Sequence, residues 1–214
     1  MNRRILRMAA LVLAAGLSGT AQAMLHDRGG GLIYDDVLNV TWLADANLAA
    51  TIRSLSSIYE DGSMKRDIAD IWITGLNHDN HLGFNDWRLP EVTFSSFEVG
   101  IGYIIQKNEM GHLFSELGGV PGSSIFTTHN ANLSLFQNIQ SGFYWSSWFA
   151  GTGTAWTFSF INGVDNANYG SQGYAMLLRD GDVAAIPEPE TYAMLLAGLG
   201  LLGIRLQSRK ATQF

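Results

Sequence analysis

Two imidazoles three residues apart, with a carboxylate between them, make Asn77-His78-Asp79-Asn80-His81 the one short stretch of the chain with metal-ligand chemistry. On a helix or tight turn the pair could reach a single ion, and neutral imidazole suits zinc or copper. A third assured ligand is missing, and Asn and Asp are the residues a solvated turn uses for its own hydrogen bonds, so a surface loop is the simpler reading. Asp165, Asp180 and Asp182 offer carboxylate oxygens of the kind calcium takes, but the expectation is that no metal or other cofactor is held, with calcium as the alternative. His112 lies between Glu109 and Glu116 at helical spacing, an acid/base arrangement on spacing alone, although an exposed helical histidine is more commonly just solvated. Cysteine is absent, which excludes thiol catalysis and thiolate metal sites, and neither G-x-S-x-G nor H-E-x-x-H occurs. No set of acid, base and nucleophile is legible, and the expectation is a protein that is not an enzyme.

The two ends explain themselves by composition. Arg3, Arg4 and Arg7 precede an apolar run over 8–17, and Ala21-Gln22-Ala23 closes it, the three parts of a secretory signal peptide with cleavage expected between Ala23 and Met24. At the far end Pro187-Glu188-Pro189 precedes an apolar run over 192–204, followed by Arg205, Arg209 and Lys210. That run is shorter than the roughly 20 residues a spanning helix needs, and it contains Gly198, Gly200 and Gly203. It is apolar all round, which argues against an amphipathic helix docked on a domain, and the cations after it orient that end to the cytoplasm. The arrangement resembles the PEP-CTERM sorting signal of Gram-negative bacteria that make exopolysaccharide. The resemblance implies exosortase and the secretion machinery as partners, passage through the inner membrane with transient anchoring by a C-terminal hydrophobic helix, and a final place at the cell surface or in the extracellular matrix. The expected division is a signal peptide over 1–23, one globular domain over 24–186, a sorting tail over 187–210 and a short end at 211–214.

The formal charge of −6 on the 214-residue chain hides a partition. Residues 24–186 carry seven Lys and Arg against seventeen Asp and Glu, a balance of −10, because the other cations sit in the two ends. An acidic body disfavours nucleic acid and anionic polysaccharide and leaves neutral sugars, cations or proteins as ligand classes. Without disulfides it must be held together by packing.

The elements that position these residues are organised around Asp86-Trp87-Arg88-Leu89-Pro90. Trp87 and Leu89 alternate inward on a short extended segment, Asp86 and Arg88 face the other way, and Pro90 ends it, tolerated at the start of a following helix. Upstream, residues 31–42 predict two strands about a turn at Asp35-Asp36, with Leu32, Tyr34, Val40 and Trp42 inward. Asp45 is placed to cap a helix reaching about Arg53. Met64, Ile68, Ile71, Trp72 and Leu76 form the stripe of a second helix, and Met110, Leu113, Phe114 and Leu117 that of a third over 108–117, ended by Gly118-Gly119. Residues 122–140 form a long polar connection, with His129, Asn130 and Asn132 as hydrogen-bonding groups. The final third reads as sheet: Tyr144, Trp145 and Ser146 in one strand, Trp156, Phe158 and Phe160 on one face of the next, a hairpin turn at Asn162-Gly163, a polar separator over 165–173, and a last strand over 174–178. One or two aromatics, Trp148 or Tyr169, are candidates to sit outside and stack on a sugar, and alternation alone does not select between them.

Leu82-Gly83-Phe84-Asn85-Asp86-Trp87-Arg88-Leu89-Pro90, then Met110-Gly111-His112-Leu113-Phe114 running into Gly118-Gly119, then Tyr144-Trp145-Ser146 and Leu178-Arg179-Asp180-Gly181-Asp182, resemble in content and order the Lcl C-terminal domain family over 31–183. That family is a domain of unknown function in exported bacterial proteins and looks related to the C-type-lectin-like fold. The resemblance implies an α+β, C-type-lectin-like domain with a small mixed or antiparallel sheet and two or three helices. It also implies a saccharide or protein ligand held by long loops such as 122–140 and the stretch near Asp165. The Glu-Pro-Asn and Trp-Asn-Asp signatures of calcium-dependent sugar lectins are absent, so that site does not transfer. The rival readings are a hydrolase acting on matrix polymer and a purely structural matrix protein.

Overall fold

The protein is described from a computed structural model over residues 25–92, 108–149, 154–169 and 171–183. β1 (Leu25–Gly29), β2 (Leu32–Asp35) and β3 (Val40–Leu43) form an antiparallel meander. β7 (Leu178–Asp180) adds antiparallel to β3, giving the sheet order β1-β2-β3-β7. β4 (Phe143–Phe149), β5 (Thr154–Ser159) and β6 (Val164–Tyr169) make a second antiparallel sheet. The expected α+β class holds, with two sheets in place of one.

β2 and β3, the inner strands of the first sheet, are covered on both faces. Leu32 and Ile33 are adjacent in β2, yet each is 1 % exposed, because each belongs to a different core. Tyr34, expected inside, is only half-buried: it pairs across the ladder with His26, stacks on that ring at 6.1 Å and lies under the Arg28 guanidinium.

α1 (Leu48–Thr51) is one turn, shorter than its alanine-rich sequence predicts. Asp45 does not cap it; its Oδ1 instead accepts from the Asn47 N–H and from Asn138 Nδ2, tying the segment to the polar connection. α2 (Arg66–His78) buries Ala69, Trp72, Ile73 and Leu76 and leaves Ile71 55 % exposed. The difference from the predicted stripe follows from the helix start. Met64 precedes the helix and makes an extended bridge with Gly173, so the inward row begins at Ala69 and steps by three and four.

α3 (Glu109–Glu116) matches expectation. Asn108 caps it by accepting the Gly111 N–H, Met110, Leu113, Phe114 and Leu117 are all fully buried, and Gly118 leaves the helix at φ +81°.

In the second sheet Phe158 and Phe160 are buried, Phe160 lying just past β5, and Gly163 takes φ +68° in the hairpin turn. The stretch beyond the turn, expected to be a polar separator, is β6. Val164-Asp165-Asn166-Ala167-Asn168-Tyr169 has little intrinsic strand preference, and the tight turn sets its register against β5.

The last strand is also displaced from its predicted place. Residues 173–177 are extended but change partners as they run. Tyr174 exchanges backbone hydrogen bonds with Phe143 and Trp145, Leu177 accepts from Leu43, and Leu178 pairs with Arg88 before β7 joins β3. Ala175 and Leu177 face the core under α2, while Met176 and Leu178 face the core under α3, so this one segment joins both sheets and both cores.

Candidate functional site

The segment 86–90 behaves as its alternation predicts. Trp87 and Leu89 are buried against α2, and the Trp87 indole donates to the His81 carbonyl at 3.0 Å. The backbone of Trp87 is clasped by the Asn77 side chain, whose Nδ2 donates to the Trp87 carbonyl and whose Oδ1 accepts its N–H. On the opposite side Arg88 makes a two-pronged contact with Glu109 at 2.8 Å and reaches Asp180, while Arg179 makes another with Asp86 and lies 4.4 Å from the Phe84 ring centre. Burial opposes charge on Arg88, but the hydrogen bonds to Glu109 and Asp180 outweigh it and raise its pKa. Pro90 is buried, and its carbonyl accepts from Ser147. The helix expected after Pro90 lies outside the described residues.

Tyr144, Trp145 and Ser146 are all buried. The Tyr144 hydroxyl accepts from the Gln140 N–H, the Trp145 indole donates to the Met64 carbonyl, and Ser146 Oγ donates to the Trp156 carbonyl. Trp72 likewise donates to the Ile52 carbonyl. Each ring fills core while its polar atom finds a backbone partner.

The candidate metal ligands do not converge. Asp180 sits on Arg88, Asp182 on Arg28, and Asp165 accepts from Asn108 Nδ2 at 2.7 Å. His78 pairs with its neighbour Asp79 in full exposure, and His81 caps the Trp87 indole through its carbonyl. Among the described residues no three of His, Asp and Glu are grouped to hold a metal ion. Asp165 is the unusual member: its Oδ1 is buried without a partner, and burial pushes its pKa up to about 7 against the opposing bond from Asn108.

His112 is not the solvated helical histidine that its sequence suggests. Nε2 stands 3.3 Å from Oδ2 of Asp35, a carboxylate 1 % exposed whose Oδ1 accepts the N–H groups of Val37 and Leu38. Asp35 raises the His112 pKa against the effect of burial. Burial alone would raise that of Asp35, but His112 and the Leu38 N–H bring it below the ordinary value. The pairing spans β2 and α3, which nothing local in the sequence connects. Glu116, one turn on, has its pKa raised by burial.

The polar connection is more ordered than its composition suggests. It contains two 3-10 turns, Ile125–Thr127 and Ala131–Leu135, with Ile125 and Phe136 in the core. Asn132 Nδ2 donates to the Glu116 carbonyl, Asn130 accepts from Asn132, and His129 is exposed. Of the candidate stacking aromatics, Trp148 is 38 % exposed and meets Trp156 edge to face at 6.1 Å. The side chain of Tyr169 lies outside the described part.

A surface cavity of about 360 Å³ that sequence reasoning did not anticipate lies beside the start of α2. Ile58 and Ile68 line its apolar part, and Ser56, Ser57, Tyr59, Lys65 and Asp67 its polar part.

Ala23, Met24, Pro187, Glu188, Pro189 and the apolar run over 192–204 lie outside the described residues, and no helix among those described is long and apolar enough to cross a membrane. No curated protein and no solved structure matches the chain, so the Lcl and lectin resemblances find no support there. Residues 185–210 match the PEP-CTERM protein-sorting motif. That motif carries with it export, anchoring in the membrane and exosortase-dependent processing, and it starts two residues after the last described residue of the folded body.

Proposed function

We propose that this is a non-enzymatic binding module, delivered across the inner membrane, held there by its tail, and passed to the cell surface or matrix, where the body engages a saccharide or protein ligand. The observation that carries the reading is the sorting motif set directly behind a folded acidic body. The chemistry inside the body favours binding over turnover. Arg28, Arg88 and Arg179 and the carboxylates they meet serve to hold strands together, and the one buried histidine–carboxylate pair bridges a helix and a sheet. Aromatics at the surface, Trp148 beside Trp156 and Tyr59 beside the cavity, offer the flat apolar faces that sugars and protein side chains both use.

The test replaces Pro187, Glu188 and Pro189 together by alanine in the natural host and follows the chain with an antibody against the body. The native protein should be shortened and leave the inner membrane, and the variant should accumulate there at full length. Identical size and distribution of the two would refute the sorting half of the reading. Hydrolysis of a host matrix polymer by the purified protein, abolished in His112→Gln, would refute the non-enzymatic half.

A further inference from the structure

Many charged side chains of the described body are engaged, although exposed ones such as Arg53, Glu60 and Glu91 meet no partner. Arg28, Arg66, Arg88 and Arg179 each meet a carboxylate, and Asp35, Asp45, Asp61, Asp86, Asp165, Asp180 and Asp182 all accept hydrogen bonds. The cavity beside α2 gathers five such polar side chains in one place. Among the described residues the side chains of Ser56, Ser57, Tyr59, Lys65 and Asp67 take part in no hydrogen bond or ion pair, although all five line the same hollow. The backbone turn that carries Tyr59 is nevertheless fixed. The Tyr59 N–H donates to the Ser63 carbonyl and the Gly62 N–H to that of Tyr59, closing a tight turn. Asp61 Oδ1 accepts from both the N–H and the hydroxyl of Ser63, and Asn47 Nδ2 donates to the Asp61 carbonyl. Gly62, at φ +83°, sits so close to the Asn47 side chain that a Cβ would stand 2.2 Å from its Oδ1. The result is a half-exposed tyrosine ring on a rigid turn, beside two hydroxyls, one ammonium, one carboxylate and two isoleucines.

We propose that this hollow is a binding site for a neutral saccharide, taking one sugar ring or the end of a chain. Lys65 and Asp67 cancel in charge, so the site has no net attraction for an anion, and the acidic body around it repels one. A sugar ring has an apolar C–H face and a hydroxyl edge. Tyr59 with Ile58 and Ile68 match the first, and Asp67, Lys65 and the two serines match the second as acceptor and donors. The volume stands near the lower end of the range of small-molecule sites, about 300–1,000 Å³, which fits a short ligand and not a buried polymer. The fixed turn means little ordering is required on binding. This proposal rests on the saccharide branch of the function above and locates it away from the loop 122–140 and from Trp148.

The test is saturation-transfer NMR and calorimetry on the full chain in a sugar-free zwitterionic detergent, with cellotriose, maltotriose and a chitin trisaccharide as neutral probes and an alginate trisaccharide as the anionic one. At least one neutral probe should bind and alginate should not. Tyr59→Ala and Asp67→Ala should each weaken that binding by about tenfold, and Trp148→Ala should leave it unchanged. All three side chains are well exposed, so the variants should fold as the native protein does. Neutral-sugar binding that survives Tyr59→Ala but is lost in Trp148→Ala would overturn the site while keeping the saccharide function. Preference for alginate would overturn the ligand class. Failure of every probe on folded protein would overturn the site and the saccharide function together.

Discussion

The Asp35–His112 pair gives a single histidine control over how firmly α3 rests on the first sheet. With its folded pKa above the unfolded value of roughly 6.5, His112 stabilises fully below that pH and loses its contribution as pH rises through the folded value. Asp165 acts in the same direction, since a carboxyl with a folded pKa of about 7 prefers the protonated form and destabilises the fold as pH climbs above the unfolded value near 4. Urea unfolding should therefore give a more stable protein at about pH 5.5 than at about pH 8.5. His112→Gln should lose more stability at the lower pH, by about tenfold in the unfolding constant for each unit by which the folded pKa exceeds the unfolded one, and Asp165→Asn should gain more at the higher. Equal losses for His112→Gln at both pH values would remove the pair from this role. The sequence set His112 beside Glu109 and Glu116, and its actual partner Asp35 was not legible there. Asp35 reads as a turn residue and His112 as a polar helix position, and only the sheet-to-helix packing brings them within 3.3 Å.

α3 shows where local pattern suffices. Its buried stripe and its left-handed exit were readable, because each depends on neighbours within one or two turns. What surrounds the helix was not. Phe114 meets Phe158 and Phe160 edge to face or tilted, and it is seated between two glycines where a Cβ would stand 2.4 Å from the ring at Gly119 and 2.7 Å at Gly163. Gly119→Ala should cost roughly 1–3 kcal/mol in equilibrium unfolding through overpacking, with Phe114→Leu in the same chain restoring part of it; an unchanged midpoint for Gly119→Ala would mean that the ring has room to move. β6 was missed for the opposite reason. Its residues have weak strand preference, and its existence depends on a hairpin turn and a partner strand, so propensity read along the chain could not find it. α2 was found with its stripe rotated, because Met64 belongs to a bridge with Gly173 and not to the helix.

At the scale of the molecule, the α+β class was expected from the family resemblance, and the two-sheet, two-core plan came from contacts distant in sequence. Trp87, Leu89, Trp145 and Leu177 share one core, and Trp42, Phe114, Tyr144 and Met176 the other, a division that no local window contains. The sorting tail was legible because it is a linear signal, and residues 185–210 match it. The hollow beside α2 was invisible because its lining side chains are brought together only by a turn and a helix start. Cutting the chain after residue 172 should leave a species without cooperative unfolding or slow hydrogen exchange, whereas cutting after residue 184 should leave the transition intact; cooperative unfolding of the shorter piece would show the two cores to be independent.

Residues 173–180 follow every other strand of the described chain and are shared by both cores. In a polypeptide that threads outward from its beginning, neither core can be completed until this keystone clears the translocation pore. The sorting motif enters the same pore only a few residues behind it. The last piece both cores require and the first residue of the sorting signal thus leave the pore only a few residues apart.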